Sequence, residues 1–208
     1  WTSDNLIDWF CLGVCCSDPD GGTTYIAYAP EVTYYKGYFY LCEAPNGKGH
    51  YIFKSSSPAG PFERVSENLG KGIDGSFYID DNGNMFLMSA VSSGGAYINY
   101  SLVNLAPLSA GQKITSLGSS TPLKNANLNG WTEGPGYFRR GNYFYLTYTG
   151  NHVRDASYRV GYAYTVGSTL FLNLTQPKDN ITLMLTDTPY AGKGYNSNSS
   201  FVALPFYS

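Results

Sequence analysis

"TEGPGYFRRGNYFYLTYTG", Thr132 to Gly150, decides how this chain is read. Glu133 stands before Gly134-Pro135, an aromatic strand follows, Gly141-Asn142 makes a turn, and a second aromatic strand returns. Gly and Asn tolerate the positive φ that tight hairpins need, so the stretch is a β-hairpin with an acid at its head. The plan recurs in "APEVTYYKGYFYLCEA" (Ala29 to Ala44) and "IDGSFYIDDNGNMFLMSA" (Ile73 to Ala90). The turn glycines Gly37, Gly83 and Gly141 are 46 and 58 residues apart. A further β-like segment follows each hairpin: "HYIFKSS", "AYINYSL" and "YRVGYAYTV". The unit is therefore about four strands in roughly 50 residues, the size of a β-propeller blade. A two-sheet sandwich would explain the strands but not the acid at the start of each unit.

Composition agrees with an all-β chain. Among 208 residues, aromatic side chains (16%) outnumber charged ones (13%), and there are 20 Tyr, 24 Gly and 11 Pro. That mixture favours short strands and tight turns over helices. No apolar run is long enough to span a bilayer, and no signal peptide is present. A net charge of −2 offers no basic surface for a polyanion, so nucleic acid is not an expected partner. Cys11, Cys15, Cys16 and Cys42 lack zinc-site spacing; one disulfide from Cys42 to the N-terminal group, or buried free thiols, both fit. Sequons at Asn99, Asn173, Asn180 and Asn198 are compatible with a secreted, extracellular protein.

In a propeller, the first strand of each blade lines the central channel, so residues at its start gather on one face. Asp74 and Glu133, with Glu31 nearby, are then expected to converge. The segments Glu43 to His50, Val91 to Gly95 and Gly150 to Arg154 are expected to rim the same opening. They supply Asn46, His50, Asn151, His152 and Arg154 as candidate hydroxyl-binding groups, with Tyr28 as an aromatic wall. Convergent carboxylates beside an aromatic wall suit a sugar, with its polar edge and C–H face.

At these residues the chain resembles glycoside hydrolase family 43, five-bladed propeller enzymes acting on arabinose- and xylose-containing polysaccharides. "WTSDNLIDW" (Trp1 to Trp9) resembles the segment closing the family's first blade, and "YAPEV" (Tyr28 to Val32) its "W-A-P-E-V". "SSSPAGPF" (Ser55 to Phe62) resembles "S-x-S-P-x-G-P-F". "GIDGSFYIDDNG" (Gly72 to Gly83) is similar to the segment with the second catalytic Asp, and "TEGP" (Thr132 to Pro135) to that with the catalytic acid. "GKGYNS" (Gly192 to Ser197) resembles the fifth-blade "G-x-G-H-x-S". Each motif is weak alone; six in order across nearly the whole chain are specific.

The resemblance implies that Glu133 is the general acid and Asp74 the residue that tunes its pKa and orients it. It implies a supporting role for Glu31 and an inverting α-L-arabinofuranosidase or β-xylosidase type of reaction on plant cell-wall arabinoxylan, arabinan or xylo-oligosaccharides. Three departures qualify this. The family's catalytic base, an Asp in an "A-D-P" segment of blade one, has no counterpart; Asp18-Pro19 lies in the Gly-rich loop "SDPDGGTT", only a few residues before "YAPEV". Tyr28 stands where Trp is usual. Tyr195 stands where a His often helps hold a metal ion or water, which argues against a central Ca2+; no cofactor is expected to be required.

The expected organisation is one propeller domain over 1–208, with blades at 24–70, 71–128 and 129–175 and remnants at 1–10 and 190–208. The open strand edges of such an incomplete propeller are expected to be covered by a partner chain or a dimer. With the acid half alone, the chain by itself is expected to show little hydrolysis. The alternatives are a non-catalytic carbohydrate-binding propeller or an inactive fragment.

Overall fold

Tight turns set the architecture. Lys36 and Gly37 both take left-handed φ (47° and 86°), which closes β1 (Ala27–Tyr35) onto β2 (Tyr38–Pro45) with Tyr35 opposite Tyr38. Gly141 (φ 58°) does the same between β9 (Thr132–Arg140) and β10 (Tyr143–Gly150). Between β5 (Ile73–Ile79) and β6 (Met85–Val91) the turn is built on Asp80. Its Oδ1 accepts the amides of Asn82 (3.0 Å) and Asn84 (2.7 Å), and Gly83 (φ 75°) completes the bend. A carboxylate organising the amides after it is what makes Asp a turn residue.

This computed structural model describes residues 1–17, 26–70, 72–91, 97–122, 132–150 and 158–167. Three antiparallel sheets follow in chain order. The first runs β1-β2-β3-β4, with β3 at Tyr51–Ser55 and β4 at Glu63–Arg64. The second runs β5-β6-β7-β8, with β7 at Tyr97–Val103 and β8 at Thr121–Pro122. The third runs β9-β10-β11, with β11 at Arg159–Val166. The one helical turn among the described residues, α1 (Ala106–Ser109), buries no side chain. The class is therefore all-β, built of the blade-like meanders that the repeats imply.

The chain divides into two compact units, Trp1–Leu87 with Ser101–Ser120 and Met88–Tyr100 with Thr121–Ser208. In the first, Tyr40, Cys42 and Ile52 pack with Phe77, Met85, Leu87, Val103 and Ile114 in one core. A smaller cluster of Leu41, Tyr51, Phe53 and Phe62 lies on the other face of the first sheet, with Cys15 and Cys16 against it. In the second, β10 alternates exposed or half-buried with buried residues, and Phe144, Leu146 and Tyr148 form its inner row. Gly161 on β11 is there because a Cβ would meet the Tyr148 ring at 2.9 Å.

All four cysteines are free thiols. Cys42 is buried and donates from Sγ to the Gly75 carbonyl (3.3 Å) instead of bridging to the N-terminal group. Asn99 is only 8% exposed on β7, so its sequon is closed in the folded protein. Asn173, Asn180 and Asn198 lie outside the described residues.

Candidate active site

In each sheet the first strand is an edge strand that carries one of the three acids near its start. Asp74 and Glu133 occupy the second position of β5 and β9; Glu31 is the fifth residue of β1. Each acid also lies within two residues of a left-handed backbone position: Ala29 (φ 43°), Asp74 itself (φ 57°) and Gly134 (φ 59°). A non-glycine residue held there is strained, and such strain persists only where the surroundings enforce it.

On β1 the strain sits in a bulge. The register passes from Tyr28 opposite Ala44 to Glu31 opposite Cys42, so Ala29 and Pro30 face the single position of Glu43. Proline is tolerated because a bulge leaves a backbone donor unused. Beyond the bulge Glu31 is half-buried, and its Oε1 accepts the Phe77 amide at 2.8 Å. Burial raises the Glu31 pKa, while the bonds from Phe77 and from the Ser76 side chain oppose that rise. Glu31 therefore fastens β1 to β5 just past Asp74, which is a supporting rather than a solvent-facing position.

Asp74 is half-buried, and its neighbour Gly75 is locked in place. A Cβ at Gly75 would stand 2.7 Å from the His50 ring and 3.0 Å from Cys42 Sγ. His50 is held in turn: its amide donates to the Gly70 carbonyl (2.9 Å), and its own carbonyl accepts from Leu69 (2.8 Å). His50, expected on the rim as a hydroxyl-binding group, has no exposed surface. The reason is local. Gly49 (φ 98°) lets the chain pass so close to Asn68 and Gly70 that no side chain fits, which carries His50 inward.

Asn46 and Tyr28 stay near solvent. Asn46 (φ 52°) and Gly47 (φ 70°) form a tight turn closed by the Lys48 amide on the Pro45 carbonyl (3.0 Å). Gly47 meets both the Tyr28 ring and Ile73, the residue before Asp74. Within the first unit, Tyr28, the Asn46 turn and the Asp74 segment are thus brought together, and Tyr28 is 43% exposed.

In the second unit Glu133 is half-buried opposite Thr149, whose Oγ1 donates to the Glu133 carbonyl (3.0 Å). A register shift between Thr147 and Thr149 marks the bulge that accommodates Gly134. Asp18, Asn151, His152, Arg154 and Tyr195 lie outside the described residues. Among the described residues no three His, Cys, Asp or Glu side chains come together as a metal site. Sequence reading does not single out Ser76, Phe77 or Thr149: partners chosen by strand pairing and packing carry no local motif.

An acid at the head of successive edge strands, in blade-sized sheets, is the pattern that the comparisons address. The family model for glycosyl hydrolases family 43 matches residues 1–199. The chain belongs to that family. Among solved structures, a family-43 chain such as this is similar to an endo-1,4-β-xylanase from Bacteroides thetaiotaomicron. That match has a TM-score of 0.66 and 26% identity, over 85% of this chain and 62% of that one. A thermostable family-43 glycoside hydrolase matches with a TM-score of 0.68 at 22% identity, over 86% of this chain and 63% of that one. An α-L-arabinofuranosidase from Clostridium thermocellum matches at 0.54 and 17% identity, over 73% of this chain and 51% of that one. No curated protein matches significantly. The family-43 chain thus spans less than two thirds of the length of these solved relatives, and its fold class is the propeller type of the family.

Proposed function

We propose that this chain carries the acid half of an inverting glycosidase that works outside the cell on arabinose- or xylose-containing plant polysaccharides. The observation supporting it is the matched placement of Asp74 and Glu133, second in the first strand of successive sheets, in a chain of family 43. The solved relatives named as a xylanase and an arabinofuranosidase support the pentose substrate class.

In this reading Glu133 delivers its proton to the glycosidic oxygen as the bond to the sugar breaks, and Asp74 is the carboxylate that orients and modulates it. A base activates water on the opposite face of the sugar. No base is assigned among the described residues. Tyr28 and Asn46 contribute sugar contacts, and Glu31 holds the strand that presents Asp74.

The test uses aryl pentosides of graded leaving-group pKa with a form of the protein that has turnover. Glu133→Gln should slow substrates with poor leaving groups far more than activated ones, because only the former need full protonation. An equal loss across the series would remove Glu133 from the acid role. Oligosaccharide binding that survives Glu133→Gln without any turnover in the wild type would instead favour a non-catalytic binding propeller.

A further inference from the structure

A second cleft opens in the first unit where the β1–β2 and β5–β6 turns meet. It has a volume of about 580 Å³, and its walls include Tyr35, Lys36, Tyr38, Lys54, Asn84 and Asn104. Tyr35 hydroxyl donates to the Gly83 carbonyl, which joins the two turns and fixes the floor. Tyr28 and Tyr35 lie at opposite ends of β1, about 20 Å apart at the rise of an extended strand. This cleft is therefore separate from the candidate active site.

Its chemistry is one-sided. No Asp or Glu lines it, although the chain as a whole carries a net charge of −2. Lys54 Nζ lies 3.6 Å from the centroid of the Tyr38 ring, and Lys36 Nζ lies 4.9 Å from that of Tyr35. Neither ammonium is in an ion pair among the described residues. A cation resting on an aromatic face keeps its N–H donors available for an anion. Tyr38 is 41% exposed. Tyr38 and Lys54 also wall an adjoining cleft of about 570 Å³, so the surface continues as a groove. There the charge is mixed, with Arg64 and Lys113 beside Glu63 and with Lys113 paired to Glu67 (3.1 Å); the unpaired cations are Lys36 and Lys54 of the first cleft.

We propose that this groove binds a polysaccharide segment bearing uronic-acid carboxylates, with Lys54 and Lys36 on the carboxylate and the tyrosines and asparagines on the sugar rings. Tyrosine offers an amphipathic contact to sugar C–H faces and hydroxyls together. The two amides, Asn84 and Asn104, add donors and acceptors for hydroxyls. A neutral pentose chain would leave both ammonium groups unmatched, and a small inorganic anion would leave most of the volume empty. The assignment does not depend on the roles of Glu133 or Asp74.

The test is calorimetric titration of the Glu133→Gln protein with xylotriose carrying one glucuronic acid, against neutral xylotetraose. The acidic sugar should bind more tightly, and its affinity should fall as salt is raised. Lys54→Gln with Lys36→Gln should weaken the acidic sugar by about tenfold or more and leave the neutral one unchanged. Tyr38→Ala should weaken the acidic sugar as well. Equal affinity for the two sugars, or an acidic-sugar affinity untouched by the lysine changes, overturns the proposal. Because Glu133 is already replaced, a failed catalytic assignment leaves these results unaltered.

Discussion

The imidazole of His50 lies so close to Gly75 that a Cβ on that glycine would come within 2.7 Å of both Cδ2 and Nε2. Cys42 closes the same space from its own side, 3.0 Å from that position. The residue after Asp74 is thus gripped between a buried ring and a buried thiol, and the strand has no freedom to slide.

Gly75→Ala should therefore destabilise the fold by about 1–3 kcal/mol, the usual cost of forcing extra volume into a packed interior. Urea unfolding should show a lower midpoint at an unchanged slope. An unchanged midpoint would mean that His50 moves aside freely.

Asp74 pays a backbone cost that glycine would not. At φ 57°, Asp74→Gly should raise stability by up to about 1 kcal/mol while abolishing activity in a form of the protein that has turnover. Asp74→Val should lose both, since a β-branched residue resists that conformation. Thermal melts beside activity assays check the divergence; a parallel loss in the glycine variant would contradict it.

Glu31 gives the stability a pH dependence of definite sign. Burial raises its pKa above the ordinary 4.5, so between those two values the folded state binds more protons than the unfolded. Its contribution is full below 4.5, falls as pH rises through that window, and is lost above the raised value. Glu31→Gln keeps an oxygen acceptor for the Phe77 amide and should flatten this limb. Glu31→Ala leaves that amide without its acceptor and should cost about 1–3 kcal/mol at any pH. Denaturant midpoints across mildly acidic to neutral buffers distinguish the three proteins.

Thiol labelling should separate the four cysteines by access. Cys11 is exposed and should react first. Cys16 should lag, because burial, with Cys15 and Glu43 nearby, pushes its pKa to about 11 and leaves little thiolate at neutral pH. Cys42, fully buried, should react only on unfolding. Four thiols in denaturant without reductant would match the structure; two would reveal a disulfide.

The hairpins are legible because their geometry demands particular residue types: Lys36-Gly37, Asn82-Gly83 and Gly141-Asn142 announce turns by composition alone. The repeat was legible because three turns, each with an acid upstream, stand at blade-like intervals. Neither Ala29 nor Asp74 announces a left-handed backbone, since nothing in an alanine or an aspartate requires one. The bond from Phe77 to Glu31 joins residues 46 apart in sequence, and no local pattern encodes it. His50 reads as a rim residue because it follows the second strand of a hairpin that returns the chain to the channel face; the close passage at Gly49 that carries it inward depends on Asn68 and Gly70.

Gly47 gives the Asn46 turn a wider meaning. A Cβ there would stand 3.2 Å from the Tyr28 ring and 3.3 Å from Ile73 Cγ2. One hydrogen atom's worth of room thus acts as a spacer gauge between the aromatic wall and the strand that presents Asp74. A loop grafted here from a relative to change sugar preference must keep glycine at this position. Any larger residue would shift the Tyr28 ring relative to that strand, and with it the width of the proposed sugar slot, before its own side chain had touched a substrate.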